Sequence, residues 1–96
     1  GGYTVASGAG SIATGNQTSA SGDYATGLGY VQGATRTSAS GCASTAIGSQ
    51  TIASGDQSTV MGYQTIASGE NSTAMGADTE ASGDNSTAMG FITDAT

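Results

Sequence analysis

Glycine returns every seventh residue along this chain, and no other feature narrows the possible folds so far. It stands at 1, 8, 15, 22 and 29, and again at Gly41, Gly48, Gly55, Gly62, Gly69, Gly76, Gly83 and Gly90. The one irregular interval, Gly29 to Gly41, spans twelve residues. Thirteen heptads and one five-residue insertion account for all 96 residues, so the chain reads as one repeat domain, 1–96, cut on unit boundaries like a stretch of a longer array. With glycine labelled a, position d is Thr or Ser in nearly every unit and f is mostly Ala. Position g alternates. It is Ser40, Ser54, Ser68 and Ser82 in one set of units, and Leu28, Ile47, Met61, Met75 and Met89 in the other. The period is therefore fourteen, made of two unlike halves.

A heptad is also the signature of a coiled coil, but glycine in every unit costs a helix about 1 kcal/mol each time. There is also no Leu or Ile seam for helices to share. The d-to-g segments alternate as strands do: Ser44 and Ala46 point one way, Thr45 and Ile47 the other. Glycine at a then supplies a tight turn. Two short strands and two turns per fourteen residues make one coil of an all-β, parallel β-solenoid or β-roll. Stacked at the usual strand spacing, six and a half coils rise about 31 Å.

Composition sets the width of such a roll. Hydrophobic residues make up 35% of the chain, many of them Ala, and aromatics only 5%. A chain this short with so few large side chains cannot build an ordinary globular core. Positions d and f, small and nearly uniform, are the expected lining of a thin interior, with Thr and Ser hydroxyls bonded to backbone or to each other. Position e varies from Ile52 and Ile66 to Glu80, which could not sit unpaired in a dry interior. The opposite parity, with Ile and Met inside, stays open at this point.

The apolar g residues Ile47, Met61, Met75 and Met89 then form an outward stripe, one per coil. A row of this kind implies a covering surface, and a second copy of the chain is the simplest one. Net charge is −6, and Arg36 is the sole base. That argues against nucleic acid and against a polybasic membrane contact. No apolar run is long enough to span a bilayer. Catalysis is not expected: there is no His or Lys, no Ser has a base to activate it, and the carboxylates fall at turns. No cofactor is expected either.

Three further features have two readings each. Asp56, Glu70 and Asp84 recur at b, and stacking brings them to about 5 Å spacing. They read as a solvated turn row, or with Asn71 and Asn85 as a Ca²⁺ ladder. The insertion holds Tyr30, Val31 and Arg36, either a binding loop or a tolerated one. Cys42 falls at an exposed b position, as an inert thiol or a link to another chain; one Cys allows no internal disulfide. Tyr63 is an isolated surface aromatic. The N-x-T triplets at Asn16, Asn71 and Asn85 follow largely from the repeat.

The units beginning at Gly69 and Gly83 read G-E-N-S-T-A-M-G and G-D-N-S-T-A-M-G, and that at Gly41 reads G-C-A-S-T-A-I-G. They resemble the head repeats of trimeric autotransporter adhesins, the YadA-like family. The matching positions are Asn71, Ser72, Ala74, Met75, Gly76 and Asn85, Ser86, Ala88, Met89, Gly90. The resemblance covers nearly the whole chain and is weaker before Ser38. It implies a left-handed parallel β-roll, a homotrimer and a place on a bacterial surface fibre that binds extracellular matrix or cell-surface molecules. Related repeats also occur in viral and phage fibres. The leading expectation is thus a structural and adhesive head segment. The alternatives are a self-polymerising filament subunit stacking end to end, a viral fibre segment, and an ice-binding solenoid using rows such as Thr45, Thr59, Thr73 and Thr51, Thr65, Thr79.

Overall fold

The computed structural model describes residues 4–30 and 37–95. Each coil contributes one strand to each of two parallel sheets. The first sheet stacks seven short strands: β1 (Thr4–Ala6), β3 (Thr18–Ala20), β5 (Thr37–Ala39), β7 (Ile52–Ala53), β9 (Ile66–Ala67), β11 (Glu80–Ala81) and β13 (Asp94–Ala95). The second stacks six longer ones: β2 (Ile12–Asn16), β4 (Thr26–Tyr30), β6 (Thr45–Ser49), β8 (Thr59–Tyr63), β10 (Thr73–Ala77) and β12 (Thr87–Phe91). Equivalent residues lie directly over one another. Thr73 pairs with Thr59 and Thr87, and Ile52 pairs with Ile66. The β-solenoid of fourteen-residue coils is therefore the fold. Its longest extent, 33 Å, matches the rise expected from the coil count, and its shortest is 14 Å.

The insertion leaves the ladder untouched. Thr18 pairs with Thr37 and Thr26 with Thr45, a step of nineteen residues in place of fourteen, with strand register intact on both sides. Val31 and Arg36 lie outside the described residues.

The interior parity is settled by burial. Ala39, Ala46, Ala53, Ala67, Ala74 and Ala81 at f are wholly buried, as are Thr37, Ser44, Thr51, Ser58, Thr65 and Ser72 at d. Among the described residues Val60 is the largest wholly buried side chain. Side chains this small let the two sheets approach closely. The coil then holds together mainly by backbone ladders and close contact, since little apolar area is removed from water.

The hydroxyls behave less uniformly than the sequence suggests. Thr18 and Thr37 Oγ1 donate to the carbonyls of Gly29 and Gly48 at 3.3 and 3.0 Å, and Ser72 Oγ donates to Gly69 O at 2.6 Å. Ser44, Ser58, Thr51, Thr65 and Thr79 are buried with no partner for their hydroxyls. Shape, more than hydrogen bonding, holds these residues in the lining.

Glycine serves two purposes. Gly48, Gly62, Gly76 and Gly90 have φ between 119° and 125°, a region that side chains disfavour. Gly41, Gly55 and Gly69 do not; there the constraint is space. A Cβ on Gly55 would stand 2.1 Å from the carbonyl oxygen of Gly69 in the next coil. The left-handed residue of each turn sits two places later, at c. Ala43, Gln57, Asn71 and Asn85 have φ of 55° to 60°, and Ser44 N donates back to Gly41 O at 3.2 Å. That is a type II turn with its positive φ at the third residue. Asn suits the position, whereas Ala43 and Gln57 adopt it at some cost.

Candidate functional site

Every second residue of the longer strands faces outward, so the six-stranded sheet presents three parallel rows. The e row is Ile12, Thr26, Thr45, Thr59, Thr73 and Thr87. The g row beside it is Thr14, Leu28, Ile47, Met61, Met75 and Met89, with each residue paired in register to the next. The b row includes Asn16, Ser49, Tyr63, Ala77 and Phe91, the last four in register from coil to coil. None of these positions carries Asp, Glu, Lys, Arg or His. Met61, Tyr63, Met89 and Phe91 are exposed, and Ile47 and Met75 half-buried. The result is a continuous neutral face rich in methyl, thioether and aromatic groups. Ile47, Met61, Met75 and Met89 thus form one unbroken line. Tyr30 is the last residue of β4.

The charges lie elsewhere. On the outer side of the seven-stranded sheet, Ile52 and Ile66 are followed in register by Glu80 and then Asp94. Gln50, Ile52, Gln64 and Ile66 line a shallow open pocket of about 150 Å³ on this side. Gln64 Nε2 donates to Gln50 Oε1 at 2.9 Å across its rim. Sequence reading missed this amide ladder because it takes turns from a and strands from d to g and assigns nothing to c. The recurrence of Gln at c and Ile at e in successive coils was the available signal.

The turn acids have a structural task that neither sequence reading foresaw. Asp56 Oδ1 accepts from Cys42 N at 3.1 Å, Asp84 Oδ1 from Glu70 N at 3.0 Å, and Asp23 Oδ1 from Ala9 N at 3.0 Å. Each aspartate reaches back one coil to satisfy an outward-pointing amide that the ladder leaves over. Among the described residues no group of three Cys, Asp or Glu side chains is placed to hold a metal ion. Cys42 is exposed and free.

The ice-binding alternative requires outward threonine rows. Thr51, Thr65 and Thr79 are buried instead, so one of the two rows it relied on cannot meet water. The row Thr45, Thr59, Thr73 does face outward, as part of the neutral face.

Fold and site together define a class: a parallel β-solenoid repeat whose longer-stranded sheet carries an uncharged, partly apolar face. The YadA head domain repeat (2 copies) matches residues 6–30, 39–65 and 67–91, on either side of the insertion. The chain belongs to this family, the adhesin head repeats of trimeric autotransporters. Comparison with curated proteins returns no match.

Proposed function

We propose that the chain is a segment of a trimeric adhesive head on a bacterial surface fibre, in which three copies pack their six-stranded faces around a common axis. The observation that carries this reading is the distribution of charge. All seven Asp and Glu residues of the sequence fall outside the three outward rows of that sheet. Depletion of charge is what distinguishes the buried part of a protein interface from ordinary surface. Stacked Ile, Leu and Met side chains on such a face gain by leaving water. Family membership supports the same assembly.

Packing of this kind leaves the turn rows and the Gln50–Ile66 pocket on the outside; the insertion, with Tyr30, Val31 and Arg36, is the other candidate for recognition. Host matrix or cell-surface molecules would meet those surfaces. A stiff column repeats its outer pattern at each coil and in each of three copies, so weak single contacts add by multivalency.

Light scattering tests the assembly. The expected mass is three times the 9.1 kDa chain. Met75→Glu, which places a charge in the middle of the line, is expected to give a monomer that keeps a β-type circular dichroism spectrum. A monomeric parent chain, or a Met75→Glu variant of unchanged mass, would overturn the trimer. Immobilised chain that retains no collagen, fibronectin, laminin or whole host cells would overturn the adhesive role.

A further inference from the structure

The three methionines of the chain are not scattered. Met61, Met75 and Met89 are all the methionine there is, and they occupy consecutive rungs of one ladder. The rungs before them are Ile47, Leu28 and Thr14, which have no oxidisable sulfur. In the single chain Met61 is 37% and Met89 60% exposed, so a small oxidant reaches them before assembly. No charged side chain shares their face.

We propose that these three thioethers are an oxidation site that controls assembly at one end of the column, an inference that rests on the trimeric reading above. The reaction needs a peroxide. The thioether sulfur attacks one peroxide oxygen, the O–O bond breaks, and an S=O bond forms. The second oxygen leaves as water with the proton transfer that completes it. Sulfur is oxidised by two electrons and peroxide is reduced by two. An apolar, adaptable side chain becomes a polar acceptor. Packed against the same row of another copy, the added oxygen lies among methyl and thioether groups, with only the hydroxyls of the flanking Thr row and of Tyr63 able to donate to it, so burying it costs more than burying the thioether. The Leu28 and Ile47 rungs carry no oxidisable side chain and keep their contacts. Oxidation therefore opens the column from the Met89 end only. Once three copies have closed over the sulfurs, the same shielding slows their oxidation.

Sedimentation equilibrium of hydrogen-peroxide-treated and untreated chain, with peptide mass spectrometry to count sulfoxides and separate them from Cys42 oxidation, tests this. Conversion of all three methionines is expected to weaken association by at least about tenfold, the effect of one poorly satisfied buried acceptor. Amide exchange is expected to rise over 59–91 and to stay unchanged over 26–49. The sulfurs are expected to oxidise more slowly in concentrated, associated chain than in dilute, dissociated chain. The M61L/M75L/M89L variant, which retains Cys42, is compared with its own untreated sample and is expected to show no response to peroxide. Unchanged association after full conversion, equal oxidation rates at both concentrations, or an equal peroxide response in the leucine variant would each overturn the proposal. Untreated chain that never associates would instead overturn the trimeric reading beneath it, so the two failures are told apart by the untreated sample.

Discussion

A glycine of the Gly41–Gly55–Gly69 row holds its place because the next coil's carbonyl oxygen already occupies the space a Cβ would need. Gly55→Ala puts a methyl group 2.1 Å from Gly69 O. The obstacle is backbone, held in register by pairing on both sides, so no side-chain rotation relieves it. The expected outcome is a loss of at least about 3 kcal/mol, read as a fall in urea midpoint, while Ser54→Ala at the exposed neighbouring position is near neutral. The lining threonines make the converse case. Thr65 Oγ1 is buried without a partner, so its hydroxyl contributes a desolvation cost and no bond. Thr65→Val keeps the shape and removes the polar atom. It is expected to raise stability by about 1 kcal/mol, measured by the same urea titration. Thr37, whose hydroxyl donates to Gly48 O at 3.0 Å, should show no such gain from the same change.

At the scale of the turn, a coil is tied to its neighbour by more than strand pairing. Gln57 N donates to Cys42 O at 2.7 Å and Asn71 N to Asp56 O at 2.9 Å, so the ladder continues around the corner. The b aspartates add one bond each to the amide of the preceding coil. The coil that carries Cys42 at b has no carboxylate there, and a thiol offers the Asp23 amide only a weak acceptor. Cys42→Asn would supply a carbonyl oxygen there without adding charge. The expected gain is about 0.5–1 kcal/mol, seen as a higher melting temperature, and Cys42→Ala is the control that should show none. This level also separates what was legible in the sequence from what was not. Uniformly small d and f residues, and Glu80 at e, placed the interior correctly, because only small groups fit a narrow roll and a charge refuses it. The line Ile47–Met89 was legible for the same reason of parity. The backward reach of Asp56 and Asp84 was not, since it depends on the orientation of a type II turn whose left-handed residue is not glycine. Nor was the Gln50–Gln64 ladder, which needs the coil spacing and the turn geometry together.

Across the whole molecule, the repeat matters more than any one coil, and the insertion is the place to test that. The ladder runs from Thr18 to Thr37 as if the extra residues were absent. Deleting Val31 to Thr35 joins Tyr30 to Arg36 and gives G-Y-R-T-S-A-S-G, the same frame as G-S-Q-T-I-A-S-G at Gly48. Loop-closure entropy changes by well under about 1 kcal/mol for so short a deletion. The shortened chain should therefore keep its circular dichroism spectrum, its urea midpoint to within about 1 kcal/mol, and its assembled mass. Arg36 would then occupy c, where Gln50 stands in the next coil, a left-handed position that an unbranched side chain tolerates at modest cost. With fold and assembly preserved, any loss of binding to matrix or host cells belongs to the insertion itself. Binding that survives the deletion would assign recognition to the repeated outer surface, where affinity should climb with the number of coils.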